Sequence, residues 1–234
     1  MRPFNPWFIL EVISDLLPYL PVTIFMILGS VFFGSLLGFV LARAKVMGRR
    51  IPKLLADCYI ATLRCTPPIV LLFIVYYGLP ELLMSTIGVN INNVNKIIFV
   101  LVTFTLLFGA TMSEVMRTAY ESIDKGQQEA ALSIGLSPYQ AFYRIMLPQS
   151  VAVALPNFGN ALINLMKDGS LAFTVGLIDM MGQGTLIISR NFGSYALETY
   201  IALAIIYWSL TILIEKSFGV LEMHLSKGKK SVAE

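Results

Sequence analysis

Residues 127–150 read QQEAALSIGLSPYQAFYRIMLPQS. This stretch interrupts a chain that otherwise looks built to face lipid. Asp124 precedes it as an N-cap acceptor, with Gln127 three residues on, the spacing of a capping box. A helix is expected from Lys125 to Ile134. Gly135 then suits the left-handed position just past a helix end. Ser137-Pro138-Tyr139-Gln140 opens a second helix: serine as N-cap, proline at the first helical position, glutamine at the third. That helix runs toward Pro148. Two short helices and a tight turn make a knob too small to hold its own core. Ala130, Ala131, Ile134, Leu136, Phe142 and Ile145 supply apolar surface that must pack on the chain's own spans or on another protein.

The chain around it has 234 residues, 56% hydrophobic and 13% charged. A soluble domain has about 45–50% apolar and about 25% charged residues. Long uncharged runs place the chain in the membrane class. Five spans are expected, at about 19–42, 58–79, 97–120, 150–166 and 198–218. Gly29, Ser30, Gly34, Ser35 and Gly38 punctuate the first, a spacing that lets helices approach closely in lipid. Nothing after that run resembles a signal cleavage site, so it is read as retained. Pro67-Pro68 interrupts the second. Residues 167–196 fit no span cleanly, and a short re-entrant helix with an external loop is one reading. Cys58 and Cys65 lie seven residues apart, roughly 10 Å on a helix, too far for a disulfide. They are read as packing residues.

Basic residues orient the spans, because cytoplasmic loops are enriched in Lys and Arg. With the N-terminus outside, twelve fall inside: Arg43, Lys45, Arg49, Arg50, Lys53, Arg117, Lys125, Arg144, Lys216, Lys227, Lys229 and Lys230. Four fall outside, Arg2, Lys96, Lys167 and Arg190, and Arg64 stays within the second span. The C-terminus and the knob are therefore expected on the cytoplasmic side. The basic tail is a topology signal and needs no nucleic acid. A DNA-reading helix-turn-helix is disfavoured, since only Lys125 and Arg144 are available to phosphates.

The fourth span carries Asn157, Asn160, Asn164, Lys167 and Asp168 within roughly one third of the helix circumference. Such a stripe is costly in lipid and must face protein or water. It suits a lining for a polar solute, or hydrogen bonding between helices beside Gly159. Lys167 and Asp168 suit the two ends of a zwitterion, or each other. Arg64, three residues before Pro67, is either a second lining charge or a snorkelling one. Glu114 and Arg117 are expected to pair along their own helix.

The string EAALSIGLSPYQAFYRIMLP resembles the EAA signature of ABC importer permeases. Glu129, Ala130, Ala131, Gly135, Leu136, Ile145, Leu147 and Pro148 stand at the signature's positions. LRCTPPIVLLFIVYYGLP and LINLMKDGSLAFTVG resemble the RGTP and KDTSL segments of the polar amino acid permease branch, with Cys65 for glycine and Gly169 for threonine. The resemblance spans about 19–218. It implies an all-α membrane protein of the bacterial cytoplasmic membrane, a type I ABC importer transmembrane domain. Residues 1–18 would then be an extracytoplasmic segment and 219–234 a cytoplasmic tail. Coupling helices at about 124–148 would dock on a separate ATPase subunit, in two copies. A second permease copy or close paralogue and an extracytoplasmic substrate-binding protein complete the implied assembly. Thr66, Pro67 and Ser170, in the matching segments, join Arg64 and the fourth-span stripe as an expected substrate path. The solute implied is a polar amino acid, L-cystine first, with glutamine, histidine or arginine as alternatives.

No cofactor is expected on this chain. It has no G-x-x-x-x-G-K-[ST] loop, and SKGKKS in the tail lacks the spacing. ATP and magnesium would sit on the partner. A gradient-driven carrier would not need the knob and often shows inverted repeats, of which none is visible. An intramembrane hydrolase lacks machinery, since His224 is the sole histidine and no G-x-S-x-G or H-E-x-x-H occurs.

Overall fold

The computed structural model describes residues 3–46 and 50–226. Arg49 and the tail lysines Lys227, Lys229 and Lys230 lie outside them. All regular structure among the described residues is helical. Helix α1 (Pro6–Leu16) is capped by Asn5, whose side chain accepts from the Trp7 N–H. A 3₁₀ turn (Leu17–Tyr19) leads into α2 (Leu20–Val46). Together they form one apolar rod of 41 residues, Pro6–Val46. At 1.5 Å per residue it is about 60 Å long, twice a bilayer core. Most of the described segment before residue 19 is thus helical, and α1 packs on the start of the last helix. Phe8 stacks on Tyr195 with centroids 3.8 Å apart, and the Asn5 N–H donates to Glu198 Oε1 at 3.0 Å.

The second span is broken as the prolines require. Helix α3 (Arg50–Cys65) ends before Pro67, and α4 (Pro68–Phe73) restarts with proline in its first turn. A π-helical turn (Ile74–Gly78) joins α4 to α5 (Leu79–Ile87). Pro68–Ile87 alone is apolar enough to cross a membrane. Both halves nonetheless lie along α6 (Lys96–Glu121): Ile60 and Leu63 share one buried cluster with Leu71, Val75, Phe99 and Ala110. The Tyr59 hydroxyl donates to Leu106 O at 2.9 Å. Cys58 and Cys65 are exposed on the chain rather than packed inside it. They fall on the face of α3 turned away from α6, which an apolar run does not reveal.

Helices α2 and α6 run parallel and in close contact. A Cβ on Gly38 would meet Met112 Cβ at 2.8 Å, one on Gly34 would meet Phe108 Cβ at 3.0 Å, and one on Gly109 would meet Leu37 Cδ2 at 2.8 Å. The knob follows as α7 (Lys125–Ser133) and α8 (Pro138–Ala141). A π-helical turn (Phe142–Met146) carries α8 straight into α9 (Leu147–Gly169). The fourth membrane helix is therefore longer than 150–166 and begins inside the knob. After a 3₁₀ turn (Ser170–Val175), Gly176 turns the chain at φ +77° into α10 (Met180–Arg190). The bend is 50°. Asp179 caps α10, its Oδ1 accepting from the Gly182 N–H at 2.9 Å. Helix α11 (Ala196–Ser226) closes the bundle, with Phe218 against Gly159. Among the described residues, four helices are long and apolar enough to cross a membrane, five if the bent pair is one span. The main core, with Met26, Phe104, Phe108, Met112 and Met166, sits where α2, α6 and α9 meet.

Gly38→Leu should force α2 off α6. The overpacking costs about 1–3 kcal/mol or more, read as a lower melting temperature and lost monodispersity in detergent, while Gly219→Leu, with nothing within 4 Å of its Cβ, should be near neutral.

Candidate functional site: a capped knob and a polar cleft

Local bonds make the knob rigid. Asp124 accepts from the Gly126 N–H at 2.7 Å, and Gln127 donates its backbone N–H to Asp124 O at 3.0 Å. The cap is thus a simple aspartate cap on Gly126 rather than the box on Gln127. Helix α7 ends in a two-bond Schellman closure: Leu136 N–H to Ala131 O at 3.2 Å, Gly135 N–H to Leu132 O at 3.0 Å. That closure needs the φ of +87° found at Gly135. At α8 the full capping box forms. Gln140 N–H donates to Ser137 Oγ at 3.3 Å, and the Ser137 N–H to Gln140 Oε1 at 2.9 Å.

The buried side of the knob holds Ala131, Ala141 and Met146. Its outer side is apolar and open: Ile134 is 79% exposed and Tyr139 68%, with Tyr143 beside Tyr139. Leu136, Ile145 and Leu147 are half-buried, while Ala130 and Pro148 are exposed. Glu129 is exposed and has no ion-pair partner among the described residues. The two tyrosines belong to this surface and carried no sequence signal beyond their spacing of four.

Beside the knob an ion network ties three helices. Lys45 of α2 reaches Asp57 of α3 at 2.8 Å and also bonds Glu114 of α6. Arg117 holds Glu114 at 2.7 Å and pairs with Glu121. The Glu114–Arg117 pair was legible at i,i+3. Its extension to Lys45 and Asp57 was not, because the partners are far apart in sequence.

A cleft of about 400 Å³ opens between α3, α6 and α9. It gathers Arg64, Thr66, Asn164, Lys167 and Asp168 of the expected path. Thr111, Phe104 and Phe108 of α6 complete the wall. Two cations, one carboxylate and two hydroxyls thus face one apolar-walled space, the chemistry to hold a zwitterion by both ends. Lys167 and Asp168 make no ion pair with each other among the described residues. Asn160 lines a separate recess of about 170 Å³ with Glu215 and Glu222 of α11. Asn157 and Pro67 line neither, and Ser170 Oγ donates to Lys167 O at 2.7 Å at the helix end. The stripe itself is one face: Asn157, Asn160, Asn164 and Lys167 are exposed, while Gly159, Ala161, Ile163 and Met166 are buried.

With this geometry in place, the chain can be set beside known proteins. Residues 34–227 match the family described as the binding-protein-dependent transport system inner membrane component. The chain belongs to this family. It is therefore a multi-pass inner membrane transport component and not an enzyme. It is 42% identical to the L-cystine transport system permease protein TcyL of Bacillus subtilis (strain 168), over 96% of this chain and 95% of that one. It is 36% identical to the probable amino-acid permease protein YxeN of the same organism, over 94% and 95%. Among solved structures it is similar to an amino acid ABC transporter crystallised with histidines, with a TM-score of 0.82 and 26% identity, covering 95% of this chain and 100% of that one. The knob lies at one end of the bundle, and the cleft lies within it between α3, α6 and α9.

Lys45→Met should leave Asp57 and Glu114 without their shared cation, at a cost of about 1–3 kcal/mol. A lower melting temperature in detergent, partly restored by adding Asp57→Asn, is the expected result.

Proposed function

We propose that this chain is the membrane permease subunit of an ATP-driven importer of a polar amino acid, L-cystine in particular. The carrying observation is the knob: two capped short helices, locked by Gly135 and fused to α9, with Ile134 and Tyr139 open to a partner. A rigid apolar element of this kind transmits rigid-body motion, which a flexible loop cannot. The partner is an ATPase subunit, which supplies the ATP and magnesium site. Glu129, Ala130, Ala131, Gly135, Leu136, Ile145, Leu147 and Pro148 form or support the contact. The Lys45 network sits at the same end and stiffens the helices that receive the motion.

Orientation follows the basic residues: knob and C-terminus inside, N-terminus outside. The polar face of α9 points away from the chain's own core, so it needs water or a second copy against it. A dimer with an alternating-access path between the copies meets that need. Within it Arg64, Thr66, Asn164, Lys167 and Asp168 contact the solute, and Asn157, Asn160, Pro67 and Ser170 border the route. The 42% identity to an L-cystine permease component supports cystine as the solute. Glutamine, histidine and arginine are the competing solutes.

The test is uptake of labelled cystine into proteoliposomes holding this chain, its ATPase and its binding protein. Uptake is expected to require ATP and to persist when ion gradients are collapsed. Gly135→Asp should abolish both uptake and co-purification of the ATPase while the permease still inserts. Uptake that ignores ATP and that substitution would instead make the chain a gradient-driven carrier. Lys167→Met and Asp168→Asn should each cut cystine uptake about tenfold or more without loss of assembly, the scale of one charged contact; unchanged rates and competition profiles would remove both residues from the path.

A further inference from the structure

Phe192 stands where a glycine belongs. Helix α10 closes with the same two-bond motif as α7: the Phe192 N–H donates to Ser189 O at 3.1 Å, and the Gly193 N–H to Ile188 O at 2.9 Å. The residue just past the cap must then be left-handed, which strongly favours glycine. Here it is phenylalanine at φ +50°, the only non-glycine residue with positive φ among the described residues. A bulky side chain in that region is a genuine outlier. It gives the chain's own fold nothing in return, because Phe192 is 96% exposed, more than any other large apolar residue described. Strain retained without an internal contact directs attention to a contact outside the chain.

The loop's position narrows the partner. Glu121 and the knob lie at one end of the parallel pair α2 and α6. Asn5, at the start of the rod that ends at Val46, bonds Glu198 near the start of α11. The Phe192 loop therefore sits at the end opposite the knob. Arg190, Asn191 and Ser194 make the loop polar around one aromatic tip. A lipid anchor has no need of a left-handed backbone, and Trp7, 74% exposed on relaxed helix α1, is available for that task close by. The loop is held firmly: Phe8 stacks on Tyr195, and the Ser194 N–H donates to Asn191 O at 2.9 Å. A tip pre-organised in this way loses little freedom on docking.

We propose that Phe192 is the docking tip for the solute-binding protein on which this family depends, seated in an apolar pocket on that protein's surface. The proposal rests on the orientation given above, which puts this end outside. Its readout is direct binding, so that it is separable from ATP coupling.

The experiment uses the complex of this chain with its ATPase in nanodiscs, titrated with the fluorescently labelled binding protein of the same system. Phe192→Gly should assemble normally, keep its basal ATP hydrolysis and melt at an equal or higher temperature, since it relieves the left-handed strain. Its Kd for the binding protein should rise tenfold or more, the scale of a buried aromatic anchor. Phe192→Tyr should recover most of the affinity. An unchanged Kd for Phe192→Gly overturns the proposal. So does dissociation into single permease copies on size exclusion, which would assign the tip to a second copy. Loss of basal hydrolysis that follows lipid composition, with the Kd intact, would assign it to lipid. A complex that binds normally yet never hydrolyses ATP would count against the importer reading and leave the Phe192 result to stand on its own.

Discussion

The close approach of α2 to α6 underlies the rest of the bundle. In lipid there is no hydrophobic effect to press helices together, so contact area must come from shape. Gly34, Gly38 and Gly109 remove the side chains that would hold the two backbones apart, and Leu37, Phe108 and Met112 fill the space beside them. The pair then offers a continuous surface. Helix α9 lies on it with Ala161, Leu165 and Met166, and the two halves of the second span lie along the flank of α6. At one end the same pair brings Lys45 within reach of Glu114, so packing by small residues also positions the charges.

In the proposed importer this arrangement separates motion from passage. The knob is stiff because each of its bonds is local: a cap, a Schellman closure and a capping box, all within about 17 residues. It is fused to α9 through a π-helical turn, so a push on Ile134 or Tyr139 is carried into the helix that bears the polar face. The cleft, by contrast, is assembled from three helices. A shift of α9 relative to α3 and α6 changes the distance between Arg64 and Lys167. The proposed transport cycle thus needs no flexible linker, only a change in how rigid helices meet.

Two of the left-handed helix closures, at Gly135 and Phe192, contrast. At Gly135 the backbone takes a conformation that its residue adopts without steric cost. At Phe192 the same closure is built on a residue that resists it. The difference is what singles out Phe192 for the proposed docking role.

Local sequence determined the helices and their ends. Asp124, Gly135, Ser137-Pro138 and Pro67-Pro68 each act within four or five residues, so their effects can be read without a partner. The stripe on α9 was equally legible, because helical periodicity fixes which residues share a face. What the stripe faced was not. Only the tertiary structure showed it turned away from the chain's core, split between a cleft with Arg64 and a recess with Glu215. The helical state of residues 6–16, the exposure of Cys58 and Cys65, the join of Lys45 to Asp57 and the 96% exposure of Phe192 were likewise decided there. The reason is physical: backbone caps and periodicity are written in adjacent residues, whereas contact and exposure depend on how surfaces from distant segments match.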